Sequence, residues 1–361
     1  MKILVIALSG IGDALMFTPS ILKLKDDIPD CDIDALVMFN GVKEIYVKLP
    51  HIRKVHFHDF LNSNKLDSLL FVLSLYKKYD VVINVYPANR KEYNLISWLT
   101  GAKTRLAVEY LRQDKSNWGS LNNLRIKEDD SLHNVEENIR MCEKLTGEKV
   151  EEIPPLQFPV DKSDLVYAGD YFAENGIKEN DLVIGFHAGC SPLKNHDKRR
   201  WEPEKFAELG KLFIEKFNAR ILLFGGPEER NLKTRIKDVI NSSRVISVNS
   251  LSISKSAGVM MRCNLFITND SSLMHVAAAL KLNIVVIIGP TNKNYISPWK
   301  TNYKIVSLNL DCSPCFYYSP KPLTCSRTDV KFKCIKELSV NLVFEKAKEV
   351  LEAKKVNNLL N

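Results

Sequence analysis

The sequence predicts an α/β chain built from two doubly wound, Rossmann-like domains. Three observations predict it. Apolar strand runs alternate with helical stretches, the alternation breaks once near the middle, and each half opens with a strand that runs into a glycine-bearing turn. In the first half Lys2–Leu8, Cys31–Met38 and Asp80–Val85 read as strands. In the second half Leu182–His187, Arg220–Phe224, Arg244–Val248, Leu265–Thr268 and Ile284–Ile288 do. These runs are nearly continuous in aliphatic residues rather than alternating, which marks strands covered on both faces of a parallel sheet. Helical patterns such as Glu204–Phe217 and Ser272–Leu280 lie between them, as strand–helix–strand winding requires.

The break falls at Ile153-Pro154-Pro155, and a helix over Lys162–Asn175 follows it. The predicted organisation is therefore an N-terminal domain over 1–160 and a C-terminal domain over 161–340 that carries a cysteine-rich loop at 312–334. A lysine-rich amphipathic helix over 341–361 ends the chain. A length of 361 residues suits two domains, each burying its own core.

Composition narrows the class without choosing a function. With 45% hydrophobic and 26% charged residues the chain is globular, neither disordered nor a coiled coil. A net charge of +8 suits phosphorylated small molecules or an anionic surface as well as nucleic acid. The cations sit mostly at strand-end loops and not in a stripe interleaved with aromatic residues, so nucleic acid is not the expected partner. The apolar run Ile3–Leu8 is six residues long, short of a signal peptide or a span, and the chain reads as cytoplasmic. Eight cysteines over this length do not form a small secreted disulfide scaffold.

Four segments carry candidate chemistry. Ser9-Gly10-Ile11-Gly12-Asp13 follows the first strand and opens a helix. Free N–H groups there favour anions, and glycine lets a ligand approach the backbone. Position 15 is Leu15, so the third glycine of a dinucleotide fingerprint is missing. Asp13 is either a cap or first-turn acid favoured by the macrodipole or a general base. His187-Ala188-Gly189-Cys190 ends a strand, and Lys194, His196, Lys198, Arg199 and Arg200 follow before Trp201. Such a turn is either a solvated charge run or a diphosphate cradle, for which Arg offers paired donors. Gly225-Gly226-Pro227-Glu228-Glu229 ends another strand, with acids that are either surface residues or acceptors for a ribose hydroxyl. Asn269-Asp270-Ser271-Ser272-Leu273-Met274-His275 ends a fourth. Asp270 or Ser271 either caps the next helix or, with its N–H groups, faces a phosphate outside the carboxyl end of the sheet.

In this order and spacing the four segments resemble glycosyltransferase family 9, the ADP-heptose:lipopolysaccharide heptosyltransferases and their relatives, from Met1 to about Val343. The resemblance implies a GT-B fold, with an acceptor domain first and a nucleotide-sugar domain second, facing across a cleft. It implies inverting glycosyl transfer, with no catalytic cofactor, from an ADP-linked sugar to a glycan or lipid-linked acceptor, with peripheral membrane association. Carried over by position, Asp13 matches the general base. Gly12, Gly189, Cys190 and Arg199 fall on the donor side, with Glu228 or Glu229 at the ribose and Leu251 at the base pocket. Asp270, Ser271, Ser272 and His275 match the family's Asp-Thr-Gly-x-x-His segment at the diphosphate and sugar. Ser271-Ser272 in place of Thr-Gly, and a longer stretch from Cys190 to Arg199, are departures that bear on the sugar. One branch of the family heptosylates autotransporter adhesins and carries a four-cysteine iron finger. A protein acceptor, a GT-B-shaped epimerase and an inactive scaffold are the alternatives.

Cys312, Cys315, Cys325 and Cys334 stand apart from these segments, four thiols within 23 residues of a Pro- and Tyr-rich loop. Four thiolates suit tetrahedral zinc or iron, and a loop with little to pack gains order from a metal. The expectation is a structural metal remote from Asp13.

Overall fold

The structure, a computed structural model, describes residues 1–191, 193–249, 252–317 and 322–359. The chain divides into two compact units, Met1–Pro159 and Val160–Asn361. The first unit runs β1 (Lys2–Ala7), α1 (Ile11–Met16), α2 (Thr18–Asp27), β2 (Asp32–Val37), α3 (Asn40–Tyr46), β3 (Lys54–Phe57), α4 (Lys65–Leu73), β4 (Val81–Asn84), α5 (Lys91–Leu99), β5 (Thr104–Glu109), β6 (Leu124–Lys127) and α6 (Asn134–Thr146). Its sheet is parallel in the order β3-β2-β1-β4-β5-β6. In the middle, β4 is buried along its whole length, and so is β1 apart from Lys2. At the edge, β3 is half exposed and reads Lys-Val-His-Phe.

The second unit runs α7 (Lys162–Glu174), β7 (Val183–His187), α8 (Pro203–Phe217), β8 (Arg220–Leu223), α9 (Arg230–Ile240), β9 (Val245–Ser247), α10 (Ile253–Met260), β10 (Leu265–Asn269), α11 (Ser272–Ala279), β11 (Ile284–Ile287), α12 (Lys293–Ile296), β12 (Tyr303–Val306), α13 (Lys333–Lys336) and α14 (Val340–Leu359). Its sheet is again parallel, in the order β12-β11-β10-β7-β8-β9. The core is aliphatic and aromatic, with Phe186, Trp201, Phe206 and Phe213 buried together. The Trp201 indole N–H donates to the Leu338 carbonyl at 2.9 Å and ties the start of α8 to the approach of α14.

The apolar face of the terminal helix belongs to this core. Val340, Val343, Phe344, Ala347 and Val350 of α14 are buried in it. Over Val340–Val350 the expected amphipathic pattern therefore records packing inside the second unit, and that stretch of the face is not available to an outside surface. Among the described residues no helix is long and apolar enough to cross a membrane.

In each sheet the strand order reverses once, between β1 and β4 in the first unit and between β7 and β10 in the second. Chains leave opposite ways on either side of such a point, so a crevice opens at the carboxyl ends of the two strands, where open α/β sheets bind ligands. Asp13 follows β1, and His187 and Asp270 end or follow β7 and β10.

Candidate functional site

In the first unit Gly10 caps α1 with φ −69°, an ordinary value, and a Cβ placed on it meets nothing within 4 Å. The glycine leaves open space and is not required by the turn. Gly12 is buried, and Asp13 lies in the first turn of α1, half-buried. The Ser9 hydroxyl donates to the Pro87 carbonyl at 3.0 Å, which joins the turns after β1 and β4.

Three tyrosines brace the backbone around Asp13. Tyr46 donates to the Ala14 carbonyl at 2.8 Å, Tyr93 donates to the Leu8 carbonyl at 2.9 Å, and the Ala88 N–H donates to the Tyr110 oxygen at 2.5 Å. Burial pushes all three phenols up, Tyr93 to about 12, and the nearby Asp13 charge adds to each shift. The phenols stay protonated, and those of Tyr46 and Tyr93 give their protons to the two backbone carbonyls. Sequence reasoning missed them because they come from α3, α5 and the end of β5, brought in by the winding of the sheet.

In the second unit two runs of hydrogen bonds, joined at the consecutive residues Asp270 and Ser271, cross four adjacent strand ends. After β11, the Thr291 hydroxyl donates to Asp270 Oδ2 at 2.6 Å, and the Arg199 guanidinium donates to the same oxygen at 2.5 Å. Next to Asp270, Ser271 places its Oγ 2.8 Å from His187 Nδ1 and 3.1 Å from Thr268 Oγ1. His187 Nε2 lies 3.0 Å from Glu229 Oε2, which also accepts from the Gly226 N–H at 3.2 Å. Burial works to raise the Glu229 carboxyl, but the His187 imidazole beside it holds it below its ordinary value. An ionised carboxylate only accepts, so Nε2 carries the proton of that bond, and in the neutral ring Nδ1 accepts from Ser271.

Glycines make room for Glu229. A Cβ on Gly189 would lie 1.5 Å from Glu229 Oε1, and one on Gly225, whose φ is +143°, would lie 2.3 Å from Oε2. Gly189 thus admits a carboxylate. Of the two candidate acids, Glu229 is buried and held from two sides, whereas Glu228 is exposed. The buried Lys233 secures the same turn by donating to the Gly225 and Val248 carbonyls and to Asn249 Oδ1 at 3.0, 2.7 and 3.1 Å.

The segment after β10 is not capped by a side chain. Ser271 is the N-cap residue of α11, yet its hydroxyl is spent on His187 and Thr268 and makes no cap hydrogen bond. The Met274 N–H donates to the Ser271 carbonyl at 3.2 Å, and no side chain caps the Ser272 and Leu273 N–H groups, which a helix start offers to an anion. His275 is buried, its Nδ1 has no hydrogen-bond partner among the described residues, and burial lowers its pKa to about 4 against the pull of Asp270. It is a neutral imidazole at neutral pH. Asn269 clamps the basic loop at both ends, donating to the Ala188 carbonyl at 2.7 Å and accepting from the Trp201 N–H at 3.0 Å.

Of the cations expected to line this loop, Arg199 alone among the described side chains reaches Asp270. Arg200 donates to the Cys190 carbonyl, and exposed Lys198 pairs weakly with Asp197 at 3.6 Å. Cys190 is buried, with its thiol 3.0 Å from the His196 carbonyl. The Lys194 side chain and Leu251 lie outside the described residues.

Part of the cysteine-rich loop, Cys315 and Phe316, is held by packing against the turn after β11. The Cys315 and Phe316 N–H groups donate to the Pro290 carbonyl at 3.0 and 2.9 Å, and the Phe316 carbonyl accepts from Asn292 at 2.9 Å. This docking lays the Phe316 ring 5.2 Å from the Arg199 guanidinium and 5.1 Å from the His196 ring. The four thiols lie near enough to act on one another, and each has further neighbours. Cys312 accepts from Arg327 at 3.7 Å, Cys325 accepts from the Phe332 N–H at 3.3 Å, and Cys334 is buried beside Gly289. Burial first, and then the neighbouring thiols, push Cys334 up to about 11, so it stays protonated. Among the described residues no group of three or more His, Cys, Asp or Glu is arranged to hold a metal ion. The expected metal at Cys312, Cys315, Cys325 and Cys334 is therefore not supported by the described residues.

The comparisons with known proteins agree with this architecture. The model of glycosyltransferase family 9 (heptosyltransferase) matches residues 72–323. Lipooligosaccharide heptosyltransferase 2 of Campylobacter jejuni is 27% identical over 357 residues, covering 98% of this chain and 99% of that protein. The solved ADP-heptose LPS heptosyltransferase II of Escherichia coli superposes with a TM-score of 0.76 at 20% identity, covering 98% of this chain and all of that one. Escherichia coli heptosyltransferase WaaC, solved with ADP, gives 0.69 at 19% identity, covering 97% of this chain and 100% of that one. The fold is thus GT-B, two Rossmann-like units, and the chain belongs to glycosyltransferase family 9 and is a transferase.

Proposed function

We propose that this family 9 glycosyltransferase moves a heptose from an ADP-linked donor onto a lipooligosaccharide- or lipopolysaccharide-type acceptor, with inversion at the transferred carbon. The second unit holds the donor and the first unit the acceptor. The observation that carries the reading is the arrangement at the end of β10: an uncapped helix start, Arg199 paired to Asp270, and a buried neutral His275 with an open nitrogen. The positive excess of the sequence also lies in the second unit, as a diphosphate site favours. Curated relatives named for lipooligosaccharide transfer, and a related structure solved with ADP, support the acceptor class and the nucleotide.

The chemistry follows from where charge develops. As the bond from the sugar to the nucleoside diphosphate breaks, negative charge grows on the leaving oxygen. Arg199 and the Ser272 and Leu273 N–H groups of α11 are fixed donors for that charge and need no reorganisation as it appears. The α11 dipole acts in the same direction. His275, neutral at neutral pH, offers a hydrogen bond to the donor without adding a charge. Glu229 takes the ribose hydroxyls through Oε1, held in place by His187 and Gly226, and Gly189 leaves that oxygen its room. Gly12 and Cys190 shape the backbone near the ligands. Asp13 removes the proton of the acceptor hydroxyl as that oxygen attacks the anomeric carbon, and the single displacement inverts it.

The test is a thermal-shift panel of the full chain with ADP, UDP, GDP, CMP and dTDP, followed by transfer from the sugar nucleotide whose base shifts. A nucleotide at 100 times its Kd raises stability by about 2.7 kcal/mol. A shift confined to ADP, then transfer of heptose with inversion, is the expected result. A selective shift with another nucleotide overturns the ADP donor, and no shift with any of them overturns the donor site.

A further inference from the structure

Helix α4 is apolar on both sides. Its inner face, Val72 with Phe71 and, one turn on, Leu75, packs into the first unit's core. Its outer face carries Leu66, Leu69, Leu70 and Leu73, exposed by 63%, 42%, 57% and 43%. These four stand at i, i+3, i+4 and i+7, a single stripe along the helix. Leu61 before the helix and Tyr76 after it are exposed as well. A helix that is hydrophobic all round belongs in an interior, and a contiguous exposed patch of this kind marks a surface that meets something.

We propose that this outer face of α4 docks on an anionic lipid bilayer. Three features favour that occupant. First, exposed lysines stand at both ends of the stripe, Lys65 at the start and Lys77 and Lys78 after the end, with the Lys77 ammonium 5.2 Å from the Tyr76 ring. Long cationic side chains flanking buried leucines can reach back to headgroups. The acids nearby lie off the stripe: Asp67 is bonded to Asn64 at 2.5 Å, and Asp80 accepts from the Lys2 N–H at 2.8 Å. Second, a two-fold contact between copies would set the lysines of one helix against those of the other, like charges that oppose a dimer here. Third, the stripe is leucine, whereas protein interfaces draw on Tyr, Trp, Met and Arg for their anchors. Placement is consistent with use. The sheet is parallel, so α4 sets out from its carboxyl edge, the edge on which Asp13 lies.

This inference rests on the proposed function only in that a lipid-borne acceptor is met at such a surface. It is tested with neither donor nor acceptor present, so its failure is separate from failure of the transfer reading. The full chain is sedimented with phosphatidylcholine vesicles containing a quarter phosphatidylglycerol, beside Leu66→Gln/Leu70→Gln/Leu73→Gln, with melting temperature and mass in solution measured for both. The expected result is binding by the parent chain that falls at least tenfold in the triple variant while the melting temperature holds. A single Leu70→Trp variant serves if the triple variant melts early. Its added emission must move to the blue when vesicles are supplied. Because the first unit as a whole carries no positive excess, apolar insertion dominates, and part of the binding persists at high salt. Failure of the parent chain to sediment, undiminished binding by the triple variant, or an unshifted Leu70→Trp spectrum overturns the proposal. A parent dimer that becomes monomeric in the triple variant also overturns it, in favour of a second copy.

Discussion

Gly189→Ala is the most revealing single substitution in the second unit, because it adds one methyl group where the structure has a carboxylate. The new Cβ would lie 1.5 Å from Glu229 Oε1. Non-bonded heavy atoms settle at about 3.5–4.0 Å, so the carboxylate must retreat by about 2 Å. Glu229 Oε2 now sits 3.0 Å from His187 Nε2 and 3.2 Å from the Gly226 nitrogen, and a retreat of that size breaks both bonds. Leaving a buried carboxylate without its hydrogen-bond donors costs about 1–3 kcal/mol. For a domain of this size that corresponds to a fall of about 2–12 °C in melting temperature. Differential scanning fluorimetry reads it, and ADP titration reads the loss of the ribose acceptor. The Glu229→Ala background supplies the control. With the carboxylate gone the alanine fits, so Gly189→Ala/Glu229→Ala should melt no lower than Glu229→Ala alone, a coupling that two independent sites do not show. Gly189→Ala melting within about 1 °C of the parent chain would refute the packing argument.

Asp13→Asn should lower turnover by about 10²–10⁴-fold with the donor KM unchanged, and survival of turnover in both Asp13→Asn and Asp13→Ala removes the base assignment. Thr291→Val should weaken donor binding, since Asp270 loses a donor worth about 1–3 kcal/mol, and Thr291→Ser should restore it; equal KM values for the two variants contradict the role. Phe316→Ala should raise the donor KM severalfold by freeing Arg199 from a cation–π contact of about 0.5–2 kcal/mol, and an unchanged KM shows that the loop does not steer Arg199. His275 titrates near 4 when folded and near 6.5 when unfolded, so it leaves stability untouched above about pH 6.5. Below that the unfolded chain binds the proton first, and about 3 kcal/mol is lost as pH falls to 4; His275→Gln should flatten this acid limb in urea melts taken from pH 7 to pH 4.

The sequence shows the buried parallel strands and hides three of the four edge strands, β9 being the one it reveals. Near-continuous aliphatic runs such as Lys2–Ala7 and Ile284–Ile287 announce burial on both faces. The strands that escaped were β3, β5, β6 and β12, whose segments, Lys-Val-His-Phe, Thr-Arg-Leu-Ala-Val-Glu, Leu-Arg-Ile-Lys and Tyr-Lys-Ile-Val, mix charges with apolar residues because they lie at or next to an edge. The same limit applies to α14, whose periodicity shows that one face is covered but not by what. For the cysteine loop, the count of thiols suggested a ligand set, while the hydrogen bonds from Cys315 and Phe316 to Pro290 depend on a strand end many residues earlier.

The candidate donor site was legible as three separate turns, without Thr291, and its unity was not. Thr291, Asp270, His187 and Glu229 follow or end β11, β10, β7 and β8, and those four strands are neighbours in the sheet in that order. Spatial adjacency therefore turns four distant sequence segments into two linked runs of hydrogen bonds, Thr291 and Arg199 to Asp270 on one side and Ser271 through His187 to Glu229 on the other. Asp270 and Ser271 are consecutive, so the two runs share a peptide unit and a shift in either is felt in the other. In the donor mode proposed above, a nucleoside diphosphate would meet its phosphate donors on one run and its ribose acceptor on the other. The geometry between those groups is set by the spacing of strands, about 4.8 Å apart, and not by the flexibility of the loops that bear them. That is why the glycine, histidine and threonine that touch no phosphate should still set the donor KM.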